Sequence, residues 1–248
     1  MPKYDLTFDP PLMNAAGSLG FYLDPRGPAE GVSLGAFITN PISLGHRAPA
    51  HGPRYRTYPG GFLLHTGHPN PGIRTALRRY RRRWADSHLP VLIHLIPHTP
   101  QEAARMAAYL EGIEGVMGVE LGLAPDVEAE TAEALAQAAQ GELPLVVRLP
   151  LERARELAPR VMAAGAAAVS LGPPRGALHA GTEKLLYGRL YGPALFPLAL
   201  ATVQALAKGK IPVIGAGGVY CSQQAQALLE AGAAAVQLDA LLWRGGWE

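Results

Sequence analysis

The chain has 248 residues, 48% of them hydrophobic and 17% charged, with a formal net charge of +2. That length suits one packed α/β domain, and the near-balanced charge points to no particular macromolecular partner. Cys221 is the only cysteine, which excludes an intrachain disulfide and a cysteine-rich metal site.

Short apolar strands alternate with helical patterns along the whole chain. The strands are expected to end near Met13, Thr39, Leu95, Leu121, Arg148, Leu171, Gly215 and Leu238, eight in all. Eight is the strand number of a (β/α)8 TIM barrel, so the expected fold is α/β, a single barrel domain over 1–248. Val213, Ile214, Val236, Val146, Val169 and Leu92 should pack inside that barrel or beneath its helices. Helices fit at 70–84, 100–112, 128–140, 151–164, 193–208 and 222–231, the first with Ile73, Leu77, Tyr80 and Trp84 on one stripe. The arginines at 74, 78, 79, 81, 82 and 83 surround that stripe as a solvated helix face. Without interleaved aromatics they imply no nucleic-acid partner. Segments 45–61 and 172–192 are too long for plain βα turns and read as loops forming lids or substrate walls. The stretch 164–169 recurs as 231–236, each copy joining a helix to the next strand through small residues that allow close packing.

Ile211-Pro-Val-Ile-Gly-Ala-Gly-Gly-Val219 is the most informative stretch: a strand, then glycines, then a helix start. Backbone N–H groups and the positive helix end converge there, so a phosphate-bearing or other small-molecule ligand is expected. Glu120 and Asp126 lie at or beyond a strand end, where barrel chemistry sits and where a structural acceptor is equally at home. His65, His68, His94 and His98 converge at the mouth in this reading, but they lack an accompanying carboxylate motif and no metal is expected. Cys221, beside a helix start, reads as a small buried residue. None of the lysines at 3, 184, 208 and 210 ends a barrel strand, which disfavours Schiff-base chemistry. Met1 is followed by no basic and apolar leader, and no run approaches the ~20 apolar residues of a membrane span, so no membrane association and a cytoplasmic location are expected.

Several motifs occur in an order that resembles dihydroorotate dehydrogenases. They are Asn14-Ala-Ala-Gly17, Phe37-Ile-Thr-Asn-Pro-Ile-Ser43, Pro59-Gly-Gly-Phe-Leu63, Gly67-His-Pro-Asn-Pro-Gly72, Gly192-Pro-Ala-Leu-Phe-Pro-Leu-Ala-Leu200 and the glycine loop. The resemblance implies an FMN-binding barrel that oxidises dihydroorotate in pyrimidine biosynthesis. It assigns cofactor contacts to Ala15, Ala16, Gly17, Asn40, Arg148, Gly188, Gly192, Gly217, Gly218, Asp239 and Ala240, with the Asp239 carboxylate pointing away from the phosphate. A homodimer is the assembly it allows. Asn40 and Arg148 replace lysines of the family pattern, and Leu64, Gly122, Asp126 and Pro173 replace its ring-binding asparagines. Ala124 stands where the family places its base, and a methyl group accepts no proton. Glu120, Arg148 and His94 are the remaining catalytic candidates, and Arg189 and Tyr191 are expected to crowd the flavin. Two functions follow: an FMN oxidoreductase with a changed substrate, or a non-catalytic descendant kept for ligand binding or assembly.

Overall fold

The computed structural model describes residues 6–179, 181, 184–245 and 247. Lys3 and the start of the chain that was read for a leader lie outside the described residues. Eight parallel strands form the barrel sheet: β1 (Leu12–Asn14), β2 (Phe37–Ile38), β5 (Val91–Leu95), β6 (Val116–Gly122), β7 (Leu145–Pro150), β8 (Ala168–Gly172), β11 (Val213–Ala216) and β12 (Ala235–Leu238). Their order is β1-β12-β11-β8-β7-β6-β5-β2. The ring closes where Met13 bridges Ala36 and the Gly35 N–H donates to the Leu12 carbonyl at 2.8 Å. Asn14 completes this seam, because its carboxamide accepts from the Ile38 N–H at 2.8 Å and donates to the Ile38 carbonyl at 2.7 Å. A side chain thus supplies the ladder bonds that the two short strands lack.

The strands are near-continuous runs of Val, Leu, Ile and Ala because both of their faces are covered. Val146, Ile214 and Leu92 fill the barrel interior with Met13, Ile38 and Ala168, whereas Val213, Val236 and Val169 pack beneath the helices. Alternation then sets the next interior layer. Two residues beyond Leu92, Gly118, Val146, Ala168 and Ala235 come His94, Glu120, Arg148, Ser170 and Gln237, all buried. An apolar floor therefore carries a polar layer on the side of the strand C-termini.

The helices are α1 (Ile73–Ala85), α2 (Pro100–Ala108), α3 (Ala129–Ala138), α4 (Ala154–Ala163), α5 (Phe196–Lys208), α6 (Ser222–Glu230) and a short α7 (Ala240–Arg244). Thr99 caps α2 by accepting from the Glu102 N–H at 3.2 Å, with Pro100 just inside the start. On α1 the stripe holds, with Ile73 and Trp84 buried and the six arginines exposed. No described helix is long and apolar enough to cross a membrane.

Two expectations need correction. Segments 45–61 and 172–192 contain strands rather than loops: β3 (Tyr55–Tyr58), β4 (Gly61–Leu64), β9 (Arg175–His179) and β10 (Leu185–Tyr191) make an antiparallel sheet ordered β3-β4-β10-β9. In β10, Leu186 and Gly188 are buried between exposed Leu185 and Tyr187, a period-two pattern interrupted by glycine. Cys221, expected to be buried, is half-buried at the N-cap of α6.

Candidate functional site

The polar layer is organised around Glu120, which has no exposed surface. Its carboxylate meets His94 Nδ1 at 2.5 Å and accepts from Ser170 Oγ at 2.7 Å and Gln237 Nε2 at 2.6 Å. The Arg148 guanidinium lies 3.9 Å away and also reaches the Ala16 carbonyl at 3.4 Å. Burial pushes the Glu120 carboxyl up, but the His94 bond, the Arg148 charge and Ser170 together hold it below the usual range, so it is ionised. Burial lowers His94 more than Glu120 raises it, and a neutral imidazole donating from Nδ1 satisfies both groups. Three of the roughly four acceptor sites of Glu120 are therefore taken by this chain's own donors. Of the three catalytic candidates, Glu120 and His94 are locked inside the barrel, and Arg148 is buried against them.

Above this layer, at the strand C-termini, the second sheet walls a cavity of about 220 Å³. Arg47, His65, His68, His98, Arg175 and Arg189 supply its polar lining, while Leu64, Ile96, Leu123, Tyr191 and Trp243 are among the apolar residues around it. Phe62 stacks on Tyr191 at 5.1 Å, and Trp243 tilts against Tyr191 at 6.2 Å. The Trp243 indole N–H donates to the Ser18 carbonyl at 2.8 Å, which draws α7 over the loop after β1. Burial and the charges of Arg189, Arg47 and Arg148 press His68 down to about 2, so it is neutral. Burial, opposed by Tyr191 and reinforced by Arg148 and Arg175, lowers Arg189 to about 10. The expected histidine cluster is thus split. His65, His68 and His98 face the cavity while His94 lies in the layer below, and among the described residues no group of three or more His, Cys, Asp or Glu is placed to hold a metal.

The residues assigned to a cofactor do not share one surface. Ala16, Gly17 and Gly188 line the cavity, whereas Ala15, Asn40, Gly192, Gly217, Gly218, Asp239 and Ala240 do not. Arg148 borders a small void of about 20 Å³ with His94 and Arg189. Asn40 accepts from the Gly20 N–H at 3.1 Å and donates its own N–H to the Gly20 carbonyl at 2.7 Å, which fixes the loop after β1. Gly218, at φ +70°, brings its backbone against α5, where an added Cβ would lie 2.4 Å from the Phe196 nitrogen. Its glycine has a packing reason independent of any ligand.

Asp239 follows β12, whose end runs beside the glycine loop through the Ala216–Gln237 pairing. Its carboxyl turns to its own chain neighbour. Oδ1 accepts from the Ala240 N–H at the first turn of α7, and the residue is buried. Burial raises the carboxyl, while the Ala240 bond and Arg148 pull it back.

Sequence reasoning missed Arg47, Arg175 and Trp243. The signal for Arg175 was the alternation in β9, with Arg175, Ala177 and His179 on the exposed side. Trp243 had none, because a five-residue helix shows too little periodicity to register.

A family model described as dihydroorotate dehydrogenase matches residues 176–247. The chain is 30% identical to the dihydroorotate dehydrogenase B (NAD(+)) catalytic subunit of Desulforudis audaxviator, over 93% of this chain and 82% of that one. It is 28% identical to the protein of the same name from Trichlorobacter lovleyi, over 92% and 82% of the two chains. The crystal structure of dihydroorotate dehydrogenase from Eimeria tenella in complex with ferulenol superposes with a TM-score of 0.80 at 16% identity, covering 97% of this chain and 78% of that chain, which shows the shared fold. The ordered motifs, the barrel and a relative matched along most of its length agree: the chain belongs to the dihydroorotate dehydrogenase family.

Proposed function

We propose that this chain is a dihydroorotate dehydrogenase-like barrel whose mouth binds a small anionic molecule and does not oxidise dihydroorotate by the family's route. The observation that carries this reading is the Asp239 carboxyl seated on the Ala240 N–H. The resemblance assigns Asp239 and Ala240, with Gly217 and Gly218, to the cofactor, and the Asp239 carboxyl already accepts from a backbone N–H of that set.

The family is one of FMN flavoproteins, but the residues of this chain do not fit FMN as they are arranged. The cavity of about 220 Å³ is smaller than the roughly 300–1,000 Å³ of pockets that enclose larger organic ligands. Its wall does not include the glycine loop or Asp239. Tyr191 and Trp243 stand across the mouth, and Ala124 in its wall offers no base. Glu120 cannot replace that base while it accepts from His94, Ser170 and Gln237. General-base catalysis contributes about 10²–10⁴ in rate, so its loss alone is severe.

The alternative, an FMN oxidoreductase with an altered substrate, draws support from Ala16, Gly17 and Gly188, which do line the cavity. Titration of FMN followed by quenching of its fluorescence separates the two. The wild-type protein is expected to give no saturable quenching. Tight binding by wild type contradicts the proposal and favours the alternative.

A further inference from the structure

Among the described residues, the mouth carries three arginines that no salt bridge balances. Arg175 and Arg189 are direct partners across the antiparallel β9–β10 pair. Like charges placed directly opposite in such a pair destabilise the sheet. Arg47 lines the same cavity from the segment after β2, and its guanidinium reaches His98 Nε2 at 3.5 Å. Among the described residues, no carboxylate is in the cavity wall. Two carboxylates beside lining residues accept from the backbone, Glu102 from the His98 N–H at 2.8 Å and Glu152 from the Arg175 N–H at 3.4 Å. Among the described residues, no ion pair includes Arg47, Arg175 or Arg189.

We propose that Arg47, Arg175 and Arg189 form the binding site of a small organic polyanion, a phosphorylated or polycarboxylate molecule, at the barrel mouth. This rests on the reading of the mouth as a binding site and names the class of its ligand. Three guanidiniums without carboxylate partners match a ligand carrying two or three negative charges, and their fork geometry suits phosphate and carboxylate oxygens alike. His68, kept neutral by burial and by the arginines around it, adds a hydrogen-bonding group without a further charge. Leu64, Ile96, Leu123 and Trp243 favour a ligand with a carbon skeleton over a bare inorganic ion. The cavity of about 220 Å³ favours a compact ligand.

The probes are citrate for the polycarboxylate source and glycerol 3-phosphate for the phosphoryl source, with glycerol as the neutral control and ionic strength held constant by chloride. Thermal unfolding and isothermal titration of the full chain are read for each. At least one probe is expected to raise the wild-type midpoint by about 2–4 °C or more at saturation, and glycerol to leave it unchanged. The probe with the larger shift identifies the chemistry. Arg175→Gln, at an exposed position, should abolish the shift while raising the midpoint of the ligand-free protein, because it relieves the repulsion with Arg189. Arg47→Gln should weaken binding at least tenfold without that gain. No shift with either probe, or an equal shift in Arg175→Gln, overturns the proposal. Flavin fluorescence decides the parent reading separately: uptake of FMN by wild type defeats that reading, whereas silence of both probes defeats only this inference.

Discussion

Replacing Glu120 by glutamine tests whether the carboxylate is a structural acceptor or a group held ready for chemistry. Gln keeps the shape, but its amide nitrogen can only donate, so it cannot receive all three of the bonds that converge from His94, Ser170 and Gln237. Hydrogen bonds to a charged acceptor are worth about 1.5–3 kcal/mol each, and the neutral amide forfeits that charge assistance and forces His94 into its other tautomer. The substitution also leaves Arg148, which is buried and 3.9 Å from the carboxylate, without its nearest counter-charge. Breaking one side of a buried pair typically costs about 3–5 kcal/mol, and we expect Glu120→Gln to fall in that range. Against a total stability of ~5–15 kcal/mol, the urea midpoint should drop sharply. Adding Arg148→Met should recover at least ~1 kcal/mol, because it removes the stranded cation. The assay is urea unfolding followed by circular dichroism for wild type, both single variants and the double variant. A Glu120→Gln loss below ~1 kcal/mol, or strict additivity with Arg148→Met, refutes the structural assignment and returns Glu120 to the list of catalytic groups.

Acid should destabilise the fold early. His94 and His68 are both held below their usual value of 6.5, so the unfolded chain binds protons there that the folded chain refuses. Their contribution is complete above pH 6.5 and is lost as pH falls below it, by up to ~1.4 kcal/mol per pH unit for each histidine. Urea midpoints at pH 8, 6.5 and 5 should decline between the last two, and His94→Gln should flatten that decline; a flat wild-type profile contradicts the assignment. In the glycine loop, Gly218→Ala should cost more than Gly217→Ala. Both positions have positive φ, but only at 218 does the added Cβ meet backbone, 2.4 Å from the Phe196 nitrogen, while at 217 the nearest atom is the Ala199 Cβ at 3.5 Å. We expect ~1–3 kcal/mol at Gly217 from φ alone and more at Gly218, measured by thermal unfolding.

The barrel was legible because its strands are short, apolar and regularly separated by amphipathic helices, so the expected strand ends at Leu95, Arg148 and Leu171 lie within two residues of the observed ends. The second sheet was not legible, since Gly176 and Gly188 interrupt its alternation and the flanking prolines read as loop. Glu120 was visible as a carboxylate near a strand end. Its role depended on which way neighbouring strands turn their side chains, and only register shows that Ser170 and Gln237 point at it. Asp239 was visible as a departure from a glycine-like position. Its direction was set by an unpaired N–H at the start of α7, a helix too short to leave a periodic trace.

The account stands most directly on whether dihydroorotate is oxidised at all. Purified protein is mixed anaerobically with excess FMN, dihydroorotate and an artificial electron acceptor, and orotate formation is followed by its ultraviolet absorbance. We predict no orotate above the rate of free FMN, from wild type and from Asp239→Gly alike, because the substitution does not supply the base missing at Ala124. Steady orotate formation by the wild-type protein would contradict the account.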